Sequence, residues 1–227
     1  MLKAIFWDMD GTMVDSEPLW GVATYELSEA LGRRLTPELR ESTIGGSFPN
    51  TLSICALHAG ISLSEEDYPR YRRRMFDRMA ELFSGDLTPN PGVRELLTEL
   101  KAQNLPMLVT TNTERELADN CIDAVGRDFF IGSVTGDEVP APKPAPDMYL
   151  EAARRVGANP SDCLVFEDSF AGMSGAIAAG CRVIGLPEDP DSPVPEGVVL
   201  LRSLQGSNSF QGVTAEKVHE WFDRIPQ

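Results

Sequence analysis

The stretch Ala4-Ile5-Phe6-Trp7-Asp8-Met9-Asp10-Gly11-Thr12 decides the fold that we expect. Its first four residues are apolar and include β-branched and aromatic side chains, which is typical of a short buried strand. Two carboxylates follow at once, and Gly11 and Thr12 then permit and stabilise a turn. Because two carboxylates held this close disfavour joint ionisation, the pair indicates a bound cation, a shared proton or both. A solvent-exposed Asp-x-Asp-Gly turn is the alternative for this spacing taken alone.

Composition and charge limit the classes of partner. The chain has 227 residues, of which 42% are hydrophobic and 24% charged, and its formal net charge is -15 at pH 7. This charge argues against nucleic acid or an anionic membrane as a partner, because the field of the protein would repel both. The four cysteines form no C-x-x-C pair, and no apolar stretch approaches the roughly 20 residues of a membrane span. We therefore expect a cytoplasmic protein with free thiols and no membrane contact.

The order of predicted elements points to two domains. Between Pro18 and Thr88 the apolar residues recur at helical spacing and no strand is predicted. After Gly92 helices and strands alternate, which calls for a parallel sheet with right-handed crossovers. We therefore predict an α/β fold with a Rossmann-like parallel sheet, formed by residues 1–15 and 89–227, and an inserted all-helical cap of residues 16–88. The predicted strands are Ala4–Trp7, Met107–Val109, Ile131–Val134, Cys163–Phe166, Arg182–Leu186 and Val198–Leu201.

Polar side chains follow three of these strands. They are Asp8 and Asp10, then Thr110 and Thr111, then Glu167 and Asp168. Because ligands of open parallel sheets bind outside the carboxyl ends of the strands, we expect these groups to meet in one crevice, the alternative being independent turns. Four carboxylates around a small space favour a hard cation with oxygen ligands, of which Mg²⁺ is the commonest inside cells.

One lysine lies in a stiff segment, Ala141-Pro142-Lys143-Pro144-Ala145. Such a segment is suited to present an ammonium group to the same crevice, the alternative being an ordinary solvated lysine. Carboxylates, a hydroxyl, a lysine and a metal together suit phosphoryl transfer, in which positioning and charge neutralisation supply most of the catalysis.

With these motifs in order, the sequence resembles the haloacid dehalogenase-like phosphohydrolases that carry an inserted helical cap. Asp8-Met9-Asp10-Gly11-Thr12 matches the first motif of that family, Thr111 the second and Lys143 the third. Glu167-Asp168, with Ser169 and Gly172, matches the fourth. The resemblance covers nearly the whole chain.

The resemblance implies a role for each matching residue. Asp8 would be the nucleophile that forms an aspartyl-phosphate, and Asp10 would protonate the leaving oxygen and then activate water. Thr111, Asn112 and Lys143 would bind the phosphoryl oxygens. The expected substrate is a small phosphate monoester, a sugar or other metabolite phosphate.

The resemblance also implies a magnesium site. Asp8, the main-chain carbonyl of Asp10 and Asp168 would bind Mg²⁺, with Glu167 close by. The metal would offset the repulsion between the anionic nucleophile and the incoming phosphate.

Candidate substrate contacts in the cap come from a loop and an aromatic residue. The segment Ile44-Gly45-Gly46-Ser47-Phe48 resembles the specificity loop of the family, with Gly46 and Ser47 at its centre, although a plain helix–helix loop is the alternative. Trp20 is predicted either to contact substrate or to pack in the core.

Two rival functions remain at this level. A phosphosugar mutase of the β-phosphoglucomutase type would carry an arginine and a histidine where Phe48 and Trp20 stand, so hydrolysis is favoured. A phospho-accepting receiver-like switch module also places acids, a hydroxyl and a lysine on a parallel sheet. Such modules usually lack both the Gly-Thr pair after the acids and an insert of this length.

Overall fold

The sheet lies at the centre of the protein. A computed structural model describes residues 1–85 and 87–225, and within them the strands form a single parallel sheet in the order β3-β2-β1-β4-β5-β6. The strands are β1 (Ala4–Trp7), β2 (Met107–Thr111), β3 (Gly132–Thr135), β4 (Cys163–Glu167), β5 (Arg182–Gly185) and β6 (Val199–Leu200). The predicted α/β fold class is confirmed.

Strand β1 is buried on both faces and pairs with β2 and β4. Ile5 lies opposite Met107 on one side and opposite Leu164 on the other. Because successive side chains of a strand point to opposite faces, Ile5 and Trp7 enter one hydrophobic core while Ala4 and Phe6 enter the other. This two-sided burial explains why the strand is apolar at every position.

Helices cover the sheet and fill the insert between β1 and β2. They are α1 (Glu17–Ala30), α2 (Pro37–Glu41), α3 (Phe48–Ala59), α4 (Asp67–Phe83), α5 (Val93–Ala102), α6 (Arg115–Val125), α7 (Asp147–Val156), α8 (Phe170–Ala178), α9 (Leu201–Gln205) and α10 (Ala215–Arg224). No helix in the described part of the chain combines the length and the apolar character needed to cross a membrane.

The insert leaves and re-enters the sheet region at one place. Val14 and Pro89 form an antiparallel bridge, and the Asn90 side chain donates to the main-chain oxygens of Gly11 (3.2 Å) and Thr12 (3.0 Å). The segments on either side of α1–α4 are thereby held together. The division into a core and a cap of residues 16–88 stays our proposal.

Differences from the predicted elements are small and have local causes. Strands β2 and β4 extend to Thr111 and Glu167, since their polar final residues are buried inside the sheet. Helix α1 begins at Glu17 and carries Pro18 in its first turn, where no main-chain N–H is needed. Helix α9 was not predicted because five residues are too few to show helical periodicity.

Candidate active site

The carboxyl ends of three neighbouring strands form the floor of a cleft. Strands β2, β1 and β4 lie side by side, so Thr111, Asp8 and Asp168 come together, and Lys143 joins them from the loop between β3 and α7. Of the residues predicted from sequence, those that line the cleft are Asp8, Asp10, Trp20, Gly45, Gly46, Phe48, Thr111, Asn112, Lys143, Asp168 and Ser169.

Lys143 bonds to two acidic residues, Asp8 after β1 and Glu167 at the end of β4. Its Nζ donates to Asp8 Oδ1 (2.7 Å), Glu167 Oε1 (2.5 Å) and the main-chain oxygen of Thr110 (2.9 Å), so all three of its protons are used. Burial alone would lower the pKa of Lys143, but the carboxylates of Asp8 and Glu167 outweigh it and raise that pKa. Lys143 is therefore an ammonium ion in direct contact with Asp8, not a solvated surface lysine.

Glu167 is fully buried and anchors this network. Its Oε1 accepts from Lys143 and from the Tyr149 hydroxyl (2.9 Å), and its Oε2 accepts from the main-chain N–H and the hydroxyl of Ser169, both at 3.0 Å. Each oxygen thus has two donors, which offsets the cost of burying a carboxylate. Glu167 lies beneath the cleft rather than on its surface.

Only one of the two carboxylate oxygens of Asp8 has a hydrogen-bond partner among the described residues. Its Oδ1 bonds to Lys143, while its Oδ2 is buried and has no hydrogen-bond partner in the described residues. Burial raises the pKa of Asp8, Glu167 raises it further, and Lys143 opposes both effects. A buried carboxylate oxygen without a hydrogen-bond partner among the described residues therefore lies at the centre of the site.

A group of acids beside that oxygen fits a divalent cation. Carboxylate oxygens of Asp8, Glu167 and Asp168 lie within 4.8 Å of one another. Burial, followed by the charge of Asp8, raises the pKa of Asp168 well above its ordinary value. A hard cation with oxygen ligands would relieve both the repulsion and the unpaired Asp8 oxygen. The residues present therefore suit a metal.

Asp10 accepts hydrogen bonds at both of its carboxylate oxygens. Ser16 Oγ (2.6 Å) and Trp20 Nε1 (2.8 Å) donate to Oδ1, while Thr113 Oγ1 (2.8 Å) and Thr111 Oγ1 (3.3 Å) donate to Oδ2. Trp20 lines the cleft and holds this acid through its indole N–H. Sequence reasoning did not find the roles of Ser16 and Thr113.

Asn112 holds two segments of main chain together. Its Oδ1 accepts from Lys143 N (2.9 Å), and its Nδ2 donates to the oxygens of Lys143 (3.1 Å) and Gly45 (2.8 Å). The side chain that we predicted to bind phosphate is therefore already occupied by main-chain partners. Its geometry supports a positioning role for the Lys143 loop instead.

The loop before α3 closes over the floor of the cleft. Gly46 and Phe48 line the cleft, whereas Ser47 precedes α3 and is not among the lining residues. Gly45 lies so close to the floor that a Cβ built on it would be 2.4 Å from Cβ of Ser169, and its φ of +67° also favours glycine. The loop predicted to set specificity therefore touches the acidic fourth motif.

An ion pair that sequence reasoning missed lies on the helical side of the cleft. Arg40 Nη2 bonds to Glu17 Oε2 at 2.9 Å, and Arg40 Nη1 bonds to Thr43 Oγ1 at 3.1 Å. Burial raises the pKa of Glu17, and Arg40 acts in the opposite direction. These residues belong to no motif, and only the packing of α2 near α1 brings them together.

Comparisons with known proteins agree with this geometry. Residues 2–180 match the family described as haloacid dehalogenase-like hydrolase. A phosphorylated carbohydrates phosphatase of Thermotoga maritima is 30% identical over 187 residues, which cover 82% of this chain and 85% of that protein. A phosphoglycolate phosphatase of Chromobacterium violaceum is 33% identical over 193 residues, with coverage of 82% and 85%.

The fold has a close structural counterpart. A crystal structure of β-phosphoglucomutase from Clostridium difficile superimposes with a TM-score of 0.83, covering 99% of this chain and 98% of that one, at 22% identity. At this identity the likeness shows the fold alone. The family match and the phosphatase relatives show that the chain belongs to the haloacid dehalogenase-like hydrolases and is, as predicted, a phosphatase.

Proposed function

We propose that the protein is a Mg²⁺-dependent phosphatase that hydrolyses a small phosphate monoester, a sugar or other metabolite phosphate, through an aspartyl-phosphate. The observation that carries the proposal is the bonding of Asp8. One of its oxygens bonds to Lys143, and the other, near Asp168, has no hydrogen-bond partner in the part of the chain that the structure describes. The names of the similar proteins, a phosphorylated carbohydrates phosphatase and a phosphoglycolate phosphatase, support a small phosphorylated substrate.

The acids of the site would have two functions: some would bind the metal ion, and Glu167 would hold Lys143 in place. Asp8, Asp168 and the main-chain carbonyl of Asp10 would hold Mg²⁺, while Glu167 remains within the acidic cluster and keeps Lys143 in place. Bound there, the ion supplies positive charge that lets an anionic nucleophile approach a phosphate dianion.

The chemistry proceeds in two displacements. A carboxylate oxygen of Asp8 attacks phosphorus, the bond from phosphorus to the leaving oxygen breaks, and the Asp10 carboxyl gives its proton to that oxygen. Water then loses a proton to the Asp10 carboxylate and attacks the same phosphorus, which releases inorganic phosphate and restores Asp8. Lys143 and Thr111 stabilise the phosphoryl oxygens through both steps, each exchanging one of its present acceptors for a phosphoryl oxygen.

The surroundings of Asp10 suit a group that alternates between acid and base. Three of its four donors, on Ser16, Thr111 and Thr113, are hydroxyls, which can either donate or accept. The network can therefore adjust when Asp10 gains or loses its proton. The indole N–H of Trp20 only donates and keeps the side chain in place.

Removal of the nucleophile tests the proposal directly. Asp8→Asn should lower kcat for p-nitrophenyl phosphate by at least about 10³-fold, since the amide is a poor nucleophile. Asp15→Asn, at an exposed position of the same segment, is the matched control and should keep its activity. Retained activity in Asp8→Asn would place the chemistry elsewhere.

Metal dependence is tested by chelation. EDTA should abolish hydrolysis of p-nitrophenyl phosphate, and excess Mg²⁺ should restore it, because the acidic cluster would otherwise repel the substrate. EDTA loaded beforehand with equimolar Mg²⁺ is the control and should have no effect. A rate indifferent to chelation would contradict the proposed metal.

A further inference from the structure

Glu17 and Arg40 form an ion pair on the helical side of the cleft. Both residues line the cleft, and the exposed fractions of their side chains are 18% and 11%. A charge that is largely removed from water strongly favours a partner of opposite sign. The two charges therefore compensate each other, and this wall of the cleft carries no net charge.

The hydrogen bonds of the Arg40 guanidinium go to Glu17 and Thr43 within the protein. Nη2 bonds to the Glu17 carboxylate (2.9 Å) and to the Glu17 main-chain oxygen (3.3 Å), and Nη1 bonds to Thr43. Nε has no hydrogen-bond partner among the described residues, but it is buried against α1, where a Cβ built on Gly21 would lie 3.7 Å away. The charge of Arg40 is therefore balanced by Glu17, and its unpaired Nε is buried out of reach of an anionic ligand.

The other charges of the cleft cannot serve an additional anion. Among the described residues that line it, Lys143 is the cation besides Arg40, and it is engaged by Asp8 and Glu167. The remaining charged lining residues are the acids Asp8, Asp10, Asp168 and Glu114, the last of which pairs with Arg72. After the transferring phosphoryl group is bound, a second anionic group would meet only acids and a neutralised arginine.

The same wall offers groups that suit hydroxyls. Glu17 Oε2 bonds to Arg40, while no hydrogen bond to Glu17 Oε1 is found within the described residues, so that oxygen can accept from a ligand hydroxyl. The threonines Thr24 and Thr51 also line the cleft. Aromatic rings of Trp20 and Phe48 provide apolar surface for the C–H faces of a carbon chain.

We propose that the leaving group of the substrate is uncharged and carries several hydroxyls, as in a polyol or sugar monophosphate, and that a second phosphate or a carboxylate is rejected. The proposal rests on the phosphatase function proposed above. Glu17 acts as the acceptor for the hydroxyls, and its pairing with Arg40 removes the cation that an anionic leaving group would need. The same lack of a free cation disfavours the phosphosugar mutase alternative, whose reaction requires a second phosphate.

Paired substrates that differ at one carbon test this inference in the unaltered protein. Sorbitol 6-phosphate has a hydroxymethyl group at the end of the chain far from the phosphate, where 6-phosphogluconate has a carboxylate. Glycerol 3-phosphate and 3-phosphoglycerate differ in the same way. In at least one pair, kcat/KM should favour the neutral member by about tenfold or more, because the carboxylate finds no cation. Preference for the carboxylate, or none, in both pairs would overturn the inference.

A variant that releases Arg40 provides the second test. Glu17→Gln keeps the shape of the side chain and leaves the guanidinium charge unbalanced, so the preference for the neutral member should fall about tenfold or more. Glu26→Gln is the matched control, because Glu26 lies on the same helix but pairs with Arg78 at the surface. The control should keep the ratio of the parent protein.

The outcomes separate the two proposals. Should Glu17→Gln fail to fold, Arg40→Met leaves Glu17 as an added anion and should increase the preference for the neutral member. An unchanged ratio in the folded variants would refute the role of the pair. If the protein hydrolyses p-nitrophenyl phosphate but prefers carboxylates, only this inference fails, whereas failure to hydrolyse any phosphate ester refutes the function itself.

Discussion

Single glycines permit the close packing of the acids in the site. A Cβ built on Gly11 would lie 2.1 Å from Asp168 Oδ2, and one built on Gly172 would lie 1.7 Å from Glu167 Oε1. Neither distance is compatible with van der Waals contact. The glycines of the first and fourth motifs are therefore required because carboxylates approach their main chain.

A substitution at Gly11 tests this packing. Gly11→Ala should displace Asp168 and raise the Mg²⁺ concentration for half-maximal activity by at least about tenfold, since one proposed ligand moves. Gly32→Ala is the control for backbone strain alone, because Gly32 also has a positive φ, +101°, but no atom lies within 4 Å of its Cβ position. Equal metal requirements in the two variants would contradict the role of Gly11.

Asp8 and Lys143 show what can be predicted at this scale. Their meeting was predicted, although 135 positions separate them, because both belong to motifs that point to one edge of the sheet. The occupied side chain of Asn112 was not predicted. Its partners are the main chains of Gly45 and Lys143, and any residue type offers a main-chain oxygen.

The start of α8 couples a helix cap to the site. Ser169 Oγ accepts from the main-chain N–H of Gly172 (3.0 Å) and also contacts Glu167 Oε2 (3.0 Å). Glu167 in turn holds Lys143. The Ser169 hydroxyl therefore caps α8 and also bonds to Glu167, which positions Lys143.

Replacement of this cap should affect stability and activity together. Ser169→Ala should lower the free energy of unfolding by about 1 kcal/mol through loss of the cap, and should lower kcat because Glu167 loses a donor. Urea denaturation and p-nitrophenyl phosphate hydrolysis measure the two effects.

The control is another helix cap, remote from the cleft. Thr214 Oγ1 accepts from Lys217 N at the start of α10 (3.3 Å), so Thr214→Ala should lose a similar amount of stability and keep its kcat. If kcat falls equally in both variants, Ser169 acts only through stability and the coupling is refuted.

At the scale of the whole molecule, ion pairs join the helical insert to the sheet. Arg72 of α4 bonds to Glu114, which precedes α6, and also to Glu116, while its guanidinium lies 3.9 Å from the ring centroid of Phe76. Glu114 and Phe76 both line the cleft. These contacts stabilise the arrangement in which the insert covers the floor.

Loss of this connection should weaken closure of the cleft. A partly exposed pair contributes about 0.2–1 kcal/mol, so Arg72→Met should raise KM for p-nitrophenyl phosphate by up to about fivefold and leave kcat nearly unchanged. Arg78→Met is the control, because Arg78 pairs with Glu26 and Glu81 inside the insert. A KM that rises equally in both variants would show that the connection has no specific effect.

The sequence by itself determined the fold class, the order of most elements and the floor of the site. Those features depend on neighbouring residues: an apolar run that ends at Asp8, helical spacing of apolar residues, and motifs at the ends of β1, β2 and β4. Because a parallel sheet brings its carboxyl strand ends to one edge, local patterns sufficed to predict that these motifs meet.

Only the tertiary structure decided which polar groups remain available to a ligand. The pairing of Arg40 with Glu17 depends on the packing of a five-residue helix, α2, near α1, and no local pattern specifies the partner. The occupied amide of Asn112 and the unpaired oxygen of Asp8 likewise depend on side-chain directions in the folded protein. Whether a polar group finds a hydrogen-bond partner depends on distance and angle and not on residue type alone. That geometry exists only after distant elements have packed together.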